Sequence, residues 1–356
     1  MDTHANVGLR PEVIAEFPDF WPSGIAVSRS GRIFVSFPRL DAEPANPTLA
    51  ELRGGTVVPF PDELVNTVDA SDPQHRFVSV HGIAMGPGNR LYALDTGARS
   101  LAACDPASAK LYVIDLDTNA IVHGIGFPGE VVPASTYLND LVIDFSRGKN
   151  GFAFISDSGA NGPNAVIVVD LDSGRSWRRL SGHPGVRPSV PAGFEIATEF
   201  GPIAAAPGID GIALSPDGKT LWWTPLGSYG FFSIPTDALC APEATDTEIA
   251  RHLVDHGTRE FASDGLDCDR EGRVYLTDVT SGTVQRYLPA EHRFERLFQS
   301  EPRFRWPDAV RLGPDRIIYV SESQVNRSPQ FQGGNDLRER PFRLYRAAID
   351  ADPASY

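Results

Sequence analysis

One short phrase recurs six times along the chain and constrains its architecture more than any other feature. In its clearest copy, Gly208-Ile-Asp-Gly-Ile-Ala-Leu-Ser-Pro-Asp-Gly-Lys-Thr-Leu-Trp-Trp-Thr-Pro, a short apolar strand (212–214) meets a Ser215-Pro216-Asp217-Gly218 turn and a second strand (220–224). Proline presets φ in such a turn and glycine accepts a positive φ, so the hairpin has a steric cause. The phrase returns as Ser23-Gly-Ile-Ala-Val, as His81-Gly-Ile-Ala-Met, and from Asn139-Asp140, Asp264-Gly265 and Asp308-Ala309. The matching positions Gly24, Gly82, Asp140, Gly211, Gly265 and Ala309 lie 58, 58, 71, 54 and 44 residues apart. Units of this size, read as strands without helical periodicity, are blades.

The expected fold is therefore all-β: a six-bladed β-propeller with four antiparallel strands per blade. It is read as a single domain over 1–356, with blades starting near 22, 80, 138, 209, 263 and 307. The fifth repeat supplies strands at 265–269, 274–278, 283–288 and 294–298, and the third supplies its last two at 165–171 and 176–180. The last repeat offers 342–349 as a third strand and lacks a fourth. The apolar run at 12–17 can supply it, which closes the ring and leaves no open edge.

Loop length is uneven. Every turn between the first and second strands is short, whereas 37–48, 61–80, 97–110, 126–138, 181–208, 240–263 and 324–341 are long. With alternating strand directions, all the long segments are expected on one face, where the first strand of each blade begins. Long loops in a compact domain usually carry function.

Seven polar residues stand at those strand starts: Ser23, His81, Asn139, Asp140, Asp210, Asp264 and Asp308. Blade geometry brings them toward the central channel. Asp and Asn oxygens on one axis suit a hard cation such as Ca²⁺, which makes Asn139, Asp210, Asp264 and Asp308 the candidate metal ligands. The competing reading gives each carboxylate to backbone N–H groups of the next blade. His81 titrates near neutrality in its ordinary state and, with Asp140 and Asp264, is a candidate for acid–base catalysis. Trp21, Phe194, Tyr229 and Trp306 lie in the long loops and can wall a pocket for an aromatic or amine ligand. With Ser23 and Asn326 they form the candidate substrate-binding set. Asp95, Asp157, Asp278 and Glu322, at second-strand ends, are expected to cap backbone.

Composition excludes several classes. With 32 Lys and Arg against 46 Asp and Glu, the formal net charge of −14 repels phosphate backbones, so no nucleic-acid partner is expected. No run reaches the ~20 apolar residues of a membrane span. Met1-Asp-Thr-His-Ala-Asn has neither a basic nor an apolar leader region, so a cytoplasmic protein is expected. The three cysteines, Cys104, Cys240 and Cys268, show no paired spacing and are expected as free thiols. Gly124-x-Gly126-x-x-Gly129 matches a dinucleotide fingerprint, but Pro128 and Pro133 forbid the helix it requires, so no nucleotide cofactor is expected.

The sequence resembles the major royal jelly protein / yellow family over nearly its whole length. The resemblance rests on Ser36-Phe-Pro-Arg-Leu with Asn46-Pro-Thr-Leu, and on Leu94-Asp-Thr-Gly followed by Cys104 and Leu111-Tyr-Val-Ile-Asp-Leu. Phe154-Ile-Ser-Asp-Ser-Gly with Val166-Ile-Val-Val-Asp-Leu-Asp-Ser-Gly, the Asp210-Gly-Ile phrase and Phe342-Arg-Leu extend it. The resemblance implies a six-bladed propeller but not one activity: members include proteins linked to dopachrome isomerisation, binders of biogenic amines and nutritive proteins. Secreted members pair a cysteine like Cys104 with one in the third blade, and residues 144–154 contain none here. More distantly the chain is similar to gluconolactonase / senescence-marker propellers, which hold a divalent metal in the channel. Ser23 occupies the place of their first-blade Glu. Together these features point to a small-molecule enzyme at the channel mouth, an isomerase/tautomerase or a metal-assisted lactonase-type hydrolase. The alternative is a non-catalytic binder of small amines or other ligands.

Overall fold

The computed structural model describes residues 5–40, 47–69, 72, 75–100, 103–189, 194–204, 207–298 and 303–354. Asn46 and part of the expected 37–48 loop lie outside these residues. The six repeats form six antiparallel blades of four strands, A to D, in chain order in blades 1 to 5. Blade 1 comprises Ile25–Val27, Ile33–Ser36, Leu49–Arg53 and Thr56–Pro59; blade 2 comprises Val80–Gly86, Arg90–Asp95, Lys110–Asp115 and Ala120–Gly126. Blade 3 has Leu138–Asp144, Phe152–Asp157, Ala165–Asp170 and Ser176–Arg179; blade 4 has Ile209–Leu214, Thr220–Pro225, Gly230–Pro235 and Val254–Thr258. Blade 5 runs through Leu266–Cys268, Val274–Asp278, Thr283–Leu288 and Arg293–Phe298. Blade 6 takes A, B and C from Pro307–Gly313, Ile317–Glu322 and Phe342–Ala348, and D from Glu12–Phe17.

That closing strand pairs antiparallel with Phe342–Ala348, Phe17 opposite Phe342 and Glu12 opposite Arg346. Phe17 is buried and meets Phe37 of blade 1 edge-on at 5.1 Å between ring centroids, so the joint is packed as well as hydrogen-bonded. Just before it, Ala5–Leu9 adds a fifth strand to blade 5, parallel to Arg293–Phe298. The sequence reading missed this strand because Ala-Asn-Val-Gly-Leu carries no alternating pattern. The first described residues thus straddle blades 5 and 6 and cover an edge of each.

Strand A of each blade contacts strand A of the next all the way round the axis. The inner strands are buried, for example all of Phe152–Asp157 except its first residue, while outer strands such as Ala120–Gly126 are mostly exposed. Apolar residues pack between neighbouring sheets: Phe154, Val168, Ile212, Leu221 and Trp223 belong to one such layer. The predicted turn of blade 4 is present, with Gly218 at φ 71° and its N–H bonded to Ser215 O at 2.9 Å.

One long segment lies on the unexpected face. Residues 236–253 join strands C and D of blade 4 and carry helices Thr236–Cys240 and Asp246–Ala250. They sit beside the short A–B turns, since Thr236 N bonds Lys219 O at 2.9 Å and Arg147 pairs with Asp237 at 2.6 Å. The physical cause is local. Thr245 and Glu248 form a reciprocal capping box that starts a helix, and the polar Val254–Thr258 is nevertheless the fourth strand. The described long B–C and D–A connections occupy the opposite, channel-mouth face.

Candidate functional site

A repeated backbone irregularity aims the site. Pairing between strands A and B shifts register between Val80 and Ile83, Leu138 and Leu141, Ile209 and Ile212, and Pro307 and Val310. The extra residues fall on His81-Gly82, Asn139-Asp140, Asp210-Gly211 and Asp308-Ala309, and such bulges re-aim side chains. The glycines follow from close approach at the axis. A Cβ on Gly211 would lie 2.1 Å from Asp264 O, and one on Gly265 would lie 2.5 Å from Asp308 O. Gly24 and Gly82 meet His81 O and Asn139 O in the same way, each at 2.6 Å.

Hydroxyls at or one residue before the end of strand B complete the device. Ser36 Oγ donates to His81 O at 2.5 Å and accepts from Gly24 N at 2.9 Å. Ser321 Oγ donates to Ser23 O at 2.8 Å and accepts from Ala309 N at 3.0 Å. Thr277 Oγ1 accepts from Gly265 N at 2.9 Å and Ser156 Oγ from Asp140 N at 2.9 Å. The repeated Ser or Thr at this position is a signal the sequence reading passed over. The second-strand carboxylates do cap backbone: Asp95 accepts from Val78, Ser79 and Gly97 N, and Asp157 from Tyr137 and Gly159 N.

Five of the seven strand-start residues, His81, Asn139, Asp210, Asp264 and Asp308, line one narrow cavity of about 50 Å³, room for a few waters. Trp21, Leu40, Ile203, Pro207, Leu226, Trp306, Val325 and Phe331 give it apolar walls. Each carboxylate has one oxygen held by a neutral donor. Asn139 Nδ2 donates to Asp210 Oδ1 at 2.6 Å, Trp306 Nε1 to Asp264 Oδ2 at 2.7 Å, and Ser23 Oγ to Asp308 Oδ1 at 2.7 Å. Trp306 holds its indole there from a left-handed backbone, φ 60°, a strained conformation for a bulky residue.

Burial and mutual repulsion raise the acids. Desolvation first, then the neighbouring carboxylates, push Asp210 and Asp264 well above the usual range. Desolvation also raises Asp308, but the Ser23 hydrogen bond favours its ionised form and it reaches only about 6. His81 shares Nδ1 with the Tyr137 hydroxyl at 2.7 Å, and burial lowers its pKa to about 3, so its imidazole is neutral.

Ser23 and Asp140 instead line a smaller cavity directly beneath, together with Arg311. Asp140 accepts from Leu141 N at 2.8 Å and lies 3.8 Å from the Arg311 guanidinium; burial raises it to about 6. Phe194 and Tyr229 pack on one another at 4.8 Å within the apolar layer around Trp306, behind the cavity wall. Asn326 is buried next to Val325, and its Nδ2 donates to Glu199 at 3.2 Å. Among the described residues, no three His, Cys, Asp or Glu side chains gather as a metal-ligand group.

Residues 78–354 match the family described as major royal jelly protein. The chain belongs to that family. Among honeybee (Apis mellifera) members, major royal jelly protein 7 is 24% identical over 61% of this chain and 49% of its own length. Major royal jelly protein 5 is 28% identical over 58% of this chain and 34% of its own. The matched region thus spans about half or less of these curated relatives. Among solved structures, a calcium-binding regucalcin from Agrobacterium tumefaciens superposes with TM-score 0.60 at 16% identity, covering 98% of this chain and 97% of that one. A gluconolactonase from Xanthomonas campestris gives 0.57 at 13% identity, covering 97% and 91%. At such identities the likeness shows the shared propeller fold.

In this royal-jelly-type propeller, Leu40, Ile203, Leu226, Val325 and Phe331 are site residues that sequence reasoning missed. They sit in irregular loops where isolated apolar residues carry no periodic signal. Cys104, Cys240 and Cys268 are free thiols. No helix among the described residues is long and apolar enough to cross a membrane.

Proposed function

We propose that the chain is a small-molecule acid–base enzyme working at the channel mouth. The supporting observation is one apolar-walled cavity whose floor carries three carboxylates of unequal proton affinity, Asp210 and Asp308 buried and Asp264 partly so. Titratable neighbours pushed apart in this way divide into acid and base. Asp308, raised least, is the base at neutral pH; Asp264 and Asp210, raised furthest, are the acids. Neutral His81 with Tyr137 serves as a hydrogen-bonding wall.

A small lactone fits this division. Asp308 takes a proton from water as its oxygen attacks the carbonyl carbon, and Asp264 gives its proton to the ring oxygen as the C–O bond breaks. The products are a hydroxy acid and a site that recovers by exchanging one proton between the two carboxyls. The same pair can isomerise a substrate by removing a C–H proton on one side and delivering one on the other. The donor set of Asn139, Asp210, Asp264 and Asp308 suits a hard cation in kind, which would polarise the carbonyl. As arranged it gathers no three charged ligands, and no step here depends on it. Trp21, Trp306 and Phe331 above the carboxylates favour a second reading, a site that captures a small ammonium ion.

The test is a panel of small lactones followed by pH-stat and product chromatography, with wild type, Asp308→Asn and Asp264→Asn. Turnover to the hydroxy acid that falls ~100-fold or more in both variants supports hydrolysis. An isomeric product moves the assignment to isomerase. Full turnover in both variants contradicts the proposed roles, and tight amine binding without turnover favours the binder.

A further inference from the structure

The cavity is narrow, with about 50 Å³ of room above its carboxylates, so a ligand must find space to reach them. Trp21 is 8% exposed, Trp306 4%, Asp210 3% and Asp308 7%, while Leu40, Asp264, Val325 and Phe331 around them are partly exposed. With room for only a few waters, no organic substrate reaches the carboxylates unless a wall moves. Two long loops from distant blades meet over it, one through Ile203 and the other through Val325 and Phe331.

These loops are unequal in strength. The blade 6 loop is braced from several sides. Gln324 Nε2 donates to Glu339 O at 2.7 Å and its Oε1 accepts from Glu339 N at 2.8 Å, Arg327 pairs with Glu339 at 2.9 Å, and Gln332 Nε2 donates to Asn326 O at 2.7 Å. The other side is a hairpin of only two residues per strand, Glu195–Ile196 against Ile203–Ala204. Its inner face presents Ile196 and Ile203 to the apolar layer around Trp306. Its tip is fastened by one carboxylate. Glu199 takes Arg327 at 2.7 Å and Asn326 at 3.2 Å, with the guanidinium carbon 5.1 Å from the Phe200 ring centroid. Arg327 is 8% exposed at this contact and Glu199 46%. The weakly paired element is the one that opens, and the well-braced one is the fixed jaw.

We infer that the 195–204 hairpin is the access gate of the channel mouth and that the Glu199–Arg327/Asn326 clamp holds it shut. This rests on reading the mouth as the ligand site, but its test does not depend on catalysis. Acrylamide is the probe, a small neutral quencher that must enter the cavity to reach the Trp21 and Trp306 indoles. Quenching is measured in wild type, Glu199→Ala and Glu199→Gln, each also on a Trp21→Phe/Trp306→Phe background. Half-exposed Glu199 can be truncated without opening the core, and circular dichroism confirms the fold of each variant.

The expected result is a quenching constant at least about twofold higher in Glu199→Ala, a smaller rise in Glu199→Gln, and no rise where both indoles are absent. Unchanged quenching in a folded Glu199→Ala protein overturns the gate, as does a rise that survives loss of both indoles. If quenching rises while lactone turnover is absent from every variant, the gate stands and the catalytic reading falls.

Discussion

Arg311→Met is the perturbation whose size can be worked out most fully. Arg311 leaves strand A of blade 6 and ties three other blades together across the channel. It lies 3.8 Å from Asp140 of blade 3 and 3.5 Å from Asp267 of blade 5, and it donates to Ile25 O of blade 1 at 3.2 Å. Removing one partner of a buried ion pair costs about 3–5 kcal/mol. The low end applies, because each carboxylate keeps backbone donors: Leu141 N for Asp140 (2.8 Å), and Cys268 N and Leu312 N for Asp267 (2.9 and 2.6 Å). At roughly 2.1 cal/mol/K per residue, about 3 kcal/mol in a chain of this length lowers the melting temperature by about 4 °C.

The loss also depends on pH in a defined direction. Burial already raises Asp140 to about 6, against an unfolded value near 3.9, and Arg311 opposes that rise. A carboxyl raised by folding favours the native state below its unfolded pKa, and that advantage is lost as pH rises through the folded value. Without Arg311 the folded value climbs further, so the variant suffers most at pH 8 and recovers near pH 5, where Asp140 is protonated. Thermal melts of both proteins from pH 5 to pH 8 read this directly. An equal deficit at both ends, or none at pH 8, refutes the reasoning.

Other substitutions follow from the same geometry. Gly211→Ala places a Cβ against Asp264 O and should cost about 2 kcal/mol or more in urea unfolding, whereas Ala309→Gly, at a repeat position that already carries a Cβ, should cost less than about 1. Removing residues through Phe17 strips the fourth strand of blade 6, so the truncated chain should melt lower and aggregate; a wild-type melting temperature would contradict that closure. If protons rather than a divalent cation neutralise the ring carboxylates, adding Ca²⁺ should leave the melting temperature unchanged. A rise that Asp264→Asn abolishes would instead assign the site to the metal.

Much of this was legible in the sequence because the informative positions repeat. The Gly and Asp of each strand-A phrase recur for steric reasons, a close approach at the axis and a bulge, and any repeat unit reveals them. The strand at 12–17 was legible from what blade 6 lacked. Ala5–Leu9 and Val254–Thr258 were not, since an outer strand buries too little to impose alternation. The site divided along the same line. His81, Asn139, Asp210, Asp264 and Asp308 converge as blade geometry requires, and Trp21 and Trp306 wall the cavity. Asp140, one residue beyond Asn139, falls to the layer below because successive strand residues point to opposite sides. Leu40, Ile203, Val325 and Phe331 were silent, as loop packing obeys no period.

The central claim is that the ring at the channel mouth keeps carboxyl protons at neutral pH, facing a narrow, apolar-walled cavity. Infrared spectroscopy of the protonated carboxyl C=O stretch tests it most directly, at pH 7 in wild type, Asp210→Asn and Asp264→Asn. The account predicts protonated-carboxyl bands in wild type that weaken in each variant. Wild-type carboxyls that are all ionised at pH 7 would contradict it.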